Sequence, residues 1–226
     1  MPQTKSSSAR GERAVETKRS TARDKPASGA AGRRLAVTLF MSLDGVVEDP
    51  HKWSFPYWND EIGKFKHEET FASSALLLGR VTYEGFASAW PGRKDAEGFA
   101  DRFNSMPKYV ASRTLSKLEW TNSHLIKGDV AAGVAKLKQE PGGDIVIHGS
   151  PTLIRSLMPH NLIDEYRLLV YPITLGRGKR LFDESTPANL QLVESKAYGT
   201  GVVKLVYEPA EKPGIVSRRM PGPTQE

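Results

Sequence analysis

Three short segments place glycine, hydroxyl and guanidinium groups where an anion can be held. Gly79-Arg80-Val81-Thr82-Tyr83-Glu84 puts a glycine at the end of an apolar run, then Arg80 and Thr82 at the start of a helical pattern. Unpaired backbone N–H groups and the helix dipole favour negative charge at such a start. Ser112-Arg113-Thr114 follows a second apolar run and offers hydroxyl, guanidinium and hydroxyl in sequence, a clamp suited to a phosphomonoester. Gly149-Ser150-Pro151-Thr152-Leu153 opens a third helical pattern, with Ser150 as the expected N-cap and Pro151 at the first helical position. Each segment alone reads equally well as a cap or as surface charge. Together, at the carboxyl ends of strands in one sheet, they fall where open α/β sheets bind ligands.

Other chemistries are excluded by residue type. The 226 residues include no cysteine, which removes disulfides, thiolate zinc sites and cysteine nucleophiles. No G-x-G-x-x-G follows the first apolar run, and neither a P-loop nor an H-E-x-x-H is present. His67-Glu68-Glu69 imitates the H-x-E of zinc deaminases, whose partner motif needs cysteine. His51, His124 and His160 have no ligand-like spacing, so no metal is expected. The longest dense apolar stretch, Tyr166 to Leu175, is far short of the roughly 20 residues that cross a bilayer, and no membrane association is expected.

The formal charge of +6 is confined to one end. Residues 1–34 hold nine Lys/Arg against three Asp/Glu, whereas residues 35–210 hold twenty against twenty-one. The first 34 residues contain no aromatic residue and only Val15 as a branched aliphatic, so they cannot offset the entropy of ordering and read as a disordered basic tail. Such a tail could attract nucleic acid weakly and salt-dependently. Residues 211–226, with Pro213, Pro221 and Pro223, read as a second disordered end.

Between these ends, residues 35–210 alternate strand and helix patterns. Strands are expected at Leu35–Leu43, Ala75–Gly79, Pro107–Ala111, Ser123–Ile126 and Asp144–His148. Helices are expected near Asp60–Ser73, from Arg80, around Val130-Val134-Leu137, and from Pro151 with Leu153, Ile154, Leu157 and Met158 on one face. After Leu162 the period changes, and Ile163–Leu175, Leu190–Tyr198 and Val202–Tyr207 read as a strand meander, the last two joined by Gly199-Thr200-Gly201. The fold class is therefore α/β: a mixed, mostly parallel sheet with helices on both faces and a C-terminal antiparallel hairpin.

The segment LIDEYRLLVYPITLGRGKRLF (162–182), with Ser42-Leu43-Asp44-Gly45 and Leu78-Gly79-Arg80-Val81-Thr82-Tyr83-Glu84, resembles the reductase domain of the bifunctional riboflavin-biosynthesis deaminase–reductase RibD. The resemblance covers about residues 34–208 and extends, more distantly, to dihydrofolate reductase, whose fold that domain shares. The resemblance implies a dihydrofolate reductase-like, NADPH-binding cytoplasmic reductase, commonly a homodimer, acting on a small heterocyclic carbonyl or imine. Its nearest named activity is 5-amino-6-(5-phosphoribosylamino)uracil reductase. In that pattern Gly79, Arg80 and Thr82 meet cofactor phosphates, Ser112 and Arg113 the adenosine 2′-phosphate, and Gly149, Ser150, Thr152 and Leu153 the pyrophosphate. Relatives usually carry paired glycines where Gly149 and Ser150 stand. An alternative from another class is a non-catalytic nucleotide-binding protein whose basic tail associates with nucleic acid.

Reducing a C=O or C=N carbon by hydride needs a proton for the heteroatom, which a carboxyl in an apolar pocket can supply. Matching Phe65-Lys66 to the substrate helix of dihydrofolate reductase makes Glu61 the candidate acid, with Asp60 beside it; both equally suit a first helical turn. Asp44 is the other candidate, or caps a turn. Trp53, Phe55, Tyr57 and Trp58 precede this helix and either stack on a flat substrate or seal an edge; Trp58 and Phe65 are the expected substrate contacts.

Overall fold

The computed structural model describes residues 32–184 and 187–210; the expected tails, 1–34 and 211–226, lie outside them but for residues 32–34. Arg33 and Arg34, assigned from composition to the tail, are part of the fold. Arg33 is buried, with Nε donating to the Gly143 carbonyl at 3.1 Å and a terminal nitrogen to Ser74 Oγ at 2.9 Å. Arg34 pairs with Glu165 and Glu208, each at 3.0 Å.

In chain order the elements are β1 Leu35–Ser42, α1 Asp60–Ala72, β2 Ala75–Gly79, α2 Arg80–Ala89, α3 Phe99–Ser105, β3 Lys108–Ala111 and β4 Ser123–Ile126. There follow α4 Val130–Gln139, β5 Ile145–His148, α5 Pro151–Leu157, β6 Glu165–Tyr171, β7 Leu190–Ala197 and β8 Val203–Pro209. The strands form one sheet in the order β4-β3-β2-β5-β1-β6-β8-β7, parallel from β4 to β6 and antiparallel beyond.

Alternation along each strand builds two cores. Leu35, Val37 and Leu39 of β1 with Ile145 and Ile147 of β5 pack on Val134 and Leu137 of α4 and on Leu153, Ile154 and Leu157 of α5. Each fully buried aliphatic side chain of this kind contributes about 1.5–3 kcal/mol. On the opposite face Leu76 and Leu78 of β2 meet Tyr83 of α2, Phe103 of α3 and Trp120. Ile62 of α1 packs there with Leu169, Tyr171 and Trp53.

Two expectations change. Pro172 follows the last residue of β6, so the long apolar stretch after Leu162 yields a seven-residue strand rather than one running to Leu175. The simple meander is also replaced: β8 lies between β6 and β7, and β7 forms the edge. Helix α3 has no apolar stripe long enough to announce itself; Asp95 caps it, accepting the N–H groups of Phe99 and Ala100 at 2.7 Å each. Among the described residues no helix is long and apolar enough to cross a membrane, and no group of three His, Asp or Glu could hold a metal ion.

Candidate functional site

Strand pairing opens a crevice between β1 and β5. Their parallel ladder ends at Thr38 opposite His148, while β1 continues to Ser42 hydrogen-bonded to β6. Helix α1 follows β1 on one face of the sheet and α5 follows β5 on the other, so this is a topological switch point at the carboxyl ends of the strands. β2 and β3 lie next in order with Gly79 opposite Ala111, which brings the ends of β3, β2, β5 and β1 to one rim.

On that rim the β2–α2 and β5–α5 loops are joined by side chains. Ser150 Oγ accepts the Gly79 N–H at 2.9 Å and lies 2.6 Å from Thr82 Oγ1. Gly149 has φ +95°, a conformation that favours glycine, and a Cβ built there would approach Thr82 to 3.5 Å. Ser112 Oγ accepts the N–H groups of Thr114 and Leu115 at 3.2 and 3.0 Å, turning the chain after β3 and leaving Arg113 exposed. Among the described residues Arg113 has no hydrogen-bond or ion-pair partner. Arg80 is engaged by Glu84 one turn along α2, at 2.9 and 3.2 Å. Thr152 is exposed on the rim, whereas Leu153 points into the core, so only its backbone faces the loop.

The expected acids lie elsewhere in character. The Glu61 carboxylate accepts the Gly199 N–H at 3.1 Å and pairs with Lys196 at 3.2 Å. These contacts, first the Gly199 amide and then Lys196, lower its pKa and keep it ionised, the opposite of what a proton donor needs. It ties the start of α1 to the β7–β8 turn. Asp44 accepts from the Ser42 hydroxyl at 2.6 Å and from the Leu175 and Gly176 N–H groups at 3.1 and 2.8 Å. The Ser42 hydroxyl and then the Leu175 amide hold the Asp44 pKa down to about 2. Asp44 is a turn cap that pins the loop after β6. Asp60 is exposed at the first position of α1.

The aromatic cluster divides between core and surface. Trp53 and Tyr57 stand edge-on to buried Tyr171 at 5.3 and 5.7 Å and seal the core. Trp58 stays 41% exposed with its ring 6.3 Å from Phe40, which lies two residues past Thr38, where β1 pairs with β6 but no longer with β5. Phe65 is half-buried beneath the Lys204 ammonium at 5.0 Å and faces the sheet more than the opening.

Beneath the crevice lies a polar row that the sequence reading missed. Thr38, His148 and Arg167 are register partners across β1, β5 and β6. Lys66 of α1 bonds Thr38 Oγ1 at 3.1 Å and Glu69; Thr38 donates to Glu69 at 3.0 Å. The His148 ring packs between Phe86 and Phe103, and its Nε2 is buried without a partner. Burial first, then the charges of Lys66 and Arg167, push its pKa well below the usual imidazole range, so it is neutral. The available signal was the placement of Lys66 and Glu69 at i, i+4 and i+7 from buried Ile62.

The RibD C-terminal domain family matches residues 33–204. An uncharacterized protein of Bacillus subtilis (strain 168), YyaP, is 30% identical over 182 residues, which cover 77% of this chain and 94% of that protein. A putative riboflavin biosynthesis protein from Shewanella sp. PV-4 has a similar structure, with a TM-score of 0.63 at 21% identity over 78% of this chain and 99% of its own. Dihydrofolate reductase from Enterococcus faecalis, complexed with NADP(H), gives 0.52 at 17% identity over 79% and 97%. The fold is dihydrofolate reductase-like.

Proposed function

This chain belongs to the RibD C-terminal domain family, and on that premise we propose that it is an NADPH-dependent reductase of a small heterocyclic carbonyl or imine. The observation that carries the reading is Arg113, a guanidinium free of any partner among the described residues, one strand away from the paired hydroxyls of Thr82 and Ser150.

These residues fit a 2′-phosphorylated nucleotide. A phosphomonoester is held by guanidinium forks and hydroxyls, whereas a bare ribose is held by a carboxylate. Arg113 supplies the first, and Glu84, the carboxylate nearest in sequence to the β2 end, is already engaged by Arg80. Gly149 lets the backbone approach the ligand closely. Bound NADPH supplies a hydride from its nicotinamide ring.

On the substrate side, Phe40 lies beyond the end of the β1–β5 ladder, where β5 no longer pairs with β1. Phe40 and exposed Trp58 form an aromatic wall for a flat heterocycle. Asp44 and Glu61 are both engaged as carboxylates by hydrogen-bond donors, and on this reading the proton that balances the hydride is taken from water. The test is loss of NADPH absorbance on adding members of a panel of pyrimidine and pterin carbonyls and imines. Turnover of at least one supports the reading; none, with NADPH bound, counts against a reductase of this substrate class.

A further inference from the structure

Ser150 does not do what a serine before a helix usually does. An N-cap serine accepts an N–H of its own helix. Here Ser150 makes no side-chain bond to α5; its hydroxyl turns away to the β2–α2 loop. It adopts φ +61° and ψ +65°, the left-handed region that disfavours any residue with a Cβ. A strained conformation persists only where the surroundings hold it. What holds it are the bonds from the Gly79 N–H at 2.9 Å and with Thr82 Oγ1 at 2.6 Å. The fit is close enough that a Cβ built on Gly79 would lie 2.6 Å from Ser150 Oγ.

The proton count adds a second point. The Thr82 and Ser150 hydroxyls carry two protons, and one spans the gap between the oxygens. Ser150 accepts from Gly79 in either arrangement, so one O–H is left without an acceptor among the described residues. It is a donor for an anionic oxygen on the rim.

We infer that Ser150 is a positioning residue: its hydroxyl latches the β5–α5 loop to the β2–α2 loop, so that a nucleotide phosphate meets both already in place, with one hydroxyl proton to bind it. The inference rests on the nucleotide reading of this site. Pre-ordering of this kind raises affinity by removing the cost of ordering on binding.

The variants Ser150→Gly, Ser150→Ala and Thr82→Val separate the latch from a merely structural role. Ser150→Gly removes both bonds and also relieves the left-handed strain, so melting temperature should hold or rise while NADPH affinity falls about tenfold. Ser150→Ala keeps the strain without the bonds, and both quantities should fall. Thr82→Val should weaken NADPH binding, and adding it to Ser150→Gly should cost little more, because the two residues act through one contact. Amide hydrogen exchange at Gly79 should be slow in the wild type and fast in Ser150→Gly. A Ser150→Gly protein that binds NADPH as tightly as the wild type, or more tightly, overturns the latch alone. Wild type that binds neither NADPH nor NADH overturns the nucleotide reading and the latch with it.

Discussion

Arg80 and Glu84 stand one turn apart on α2, the guanidinium 2.9 Å from the carboxylate, so the cation that opens this helix is already partly neutralised within it. Both side chains are about half exposed, and a pair of that kind contributes on the order of 0–1 kcal/mol. It therefore competes weakly with a ligand and does not block one.

A cofactor phosphate should thus depend more on Arg113 than on Arg80. A hydrogen bond to a charged group is worth about 1.5–3 kcal/mol, so Arg113→Ala should weaken NADPH binding on the order of 10- to 150-fold and leave NADH nearly unchanged. Arg80→Ala should cost less, and Glu84→Gln should tighten NADPH up to about fivefold by freeing Arg80. Calorimetric titration at one fixed salt concentration checks all three. A larger loss from Arg80→Ala than from Arg113→Ala would place the phosphate at the wrong loop.

Glu61 should matter to the hairpin and little to turnover. Its carboxylate takes the Gly199 N–H and the Lys196 ammonium. Glu61→Gln should keep turnover within about threefold of wild type, far from the roughly 10²–10⁴ that follows loss of a general acid. Exchange at the Gly199 amide should quicken. A hundredfold fall in turnover would restore Glu61 as the proton donor.

His148 should make the protein acid-sensitive. Its pKa is depressed in the fold, so the unfolded chain takes up a proton first as pH falls below about 6.5. The stability it contributes is complete above that pH and declines below it. Denaturant unfolding of His148→Phe, which keeps an aromatic ring between Phe86 and Phe103, should show a flatter profile between about pH 6.5 and 5 than wild type. Parallel profiles would mean that His148 titrates alike in the folded and unfolded chain, and that burial does not depress its pKa.

Much of this was legible in residue order, and the exceptions have physical reasons. The strand-end loops stood out because glycine, arginine and hydroxyl residues recur after short apolar runs, and the parallel sheet then brings those loops to one rim. What Ser150 bonds could not be read, because its partners are 68 and 71 residues away. Glu61 looked catalytic from a local match, yet its role is fixed by a turn 138 residues on. The Lys66–Glu69 pair was overlooked, since its only mark in the sequence is its spacing from Ile62 along α1 and charged residues are seldom buried there. The order of β7 and β8 was hidden for a related reason: the linker after β6 is long enough to permit either arrangement.

Cofactor choice tests the account most directly. Wild-type protein titrated calorimetrically with NADPH and with NADH, at one stated salt concentration, should bind NADPH at least about tenfold more tightly, as one charge-assisted contact to the additional phosphate requires. Equal affinities for the two, or binding of neither, would contradict it.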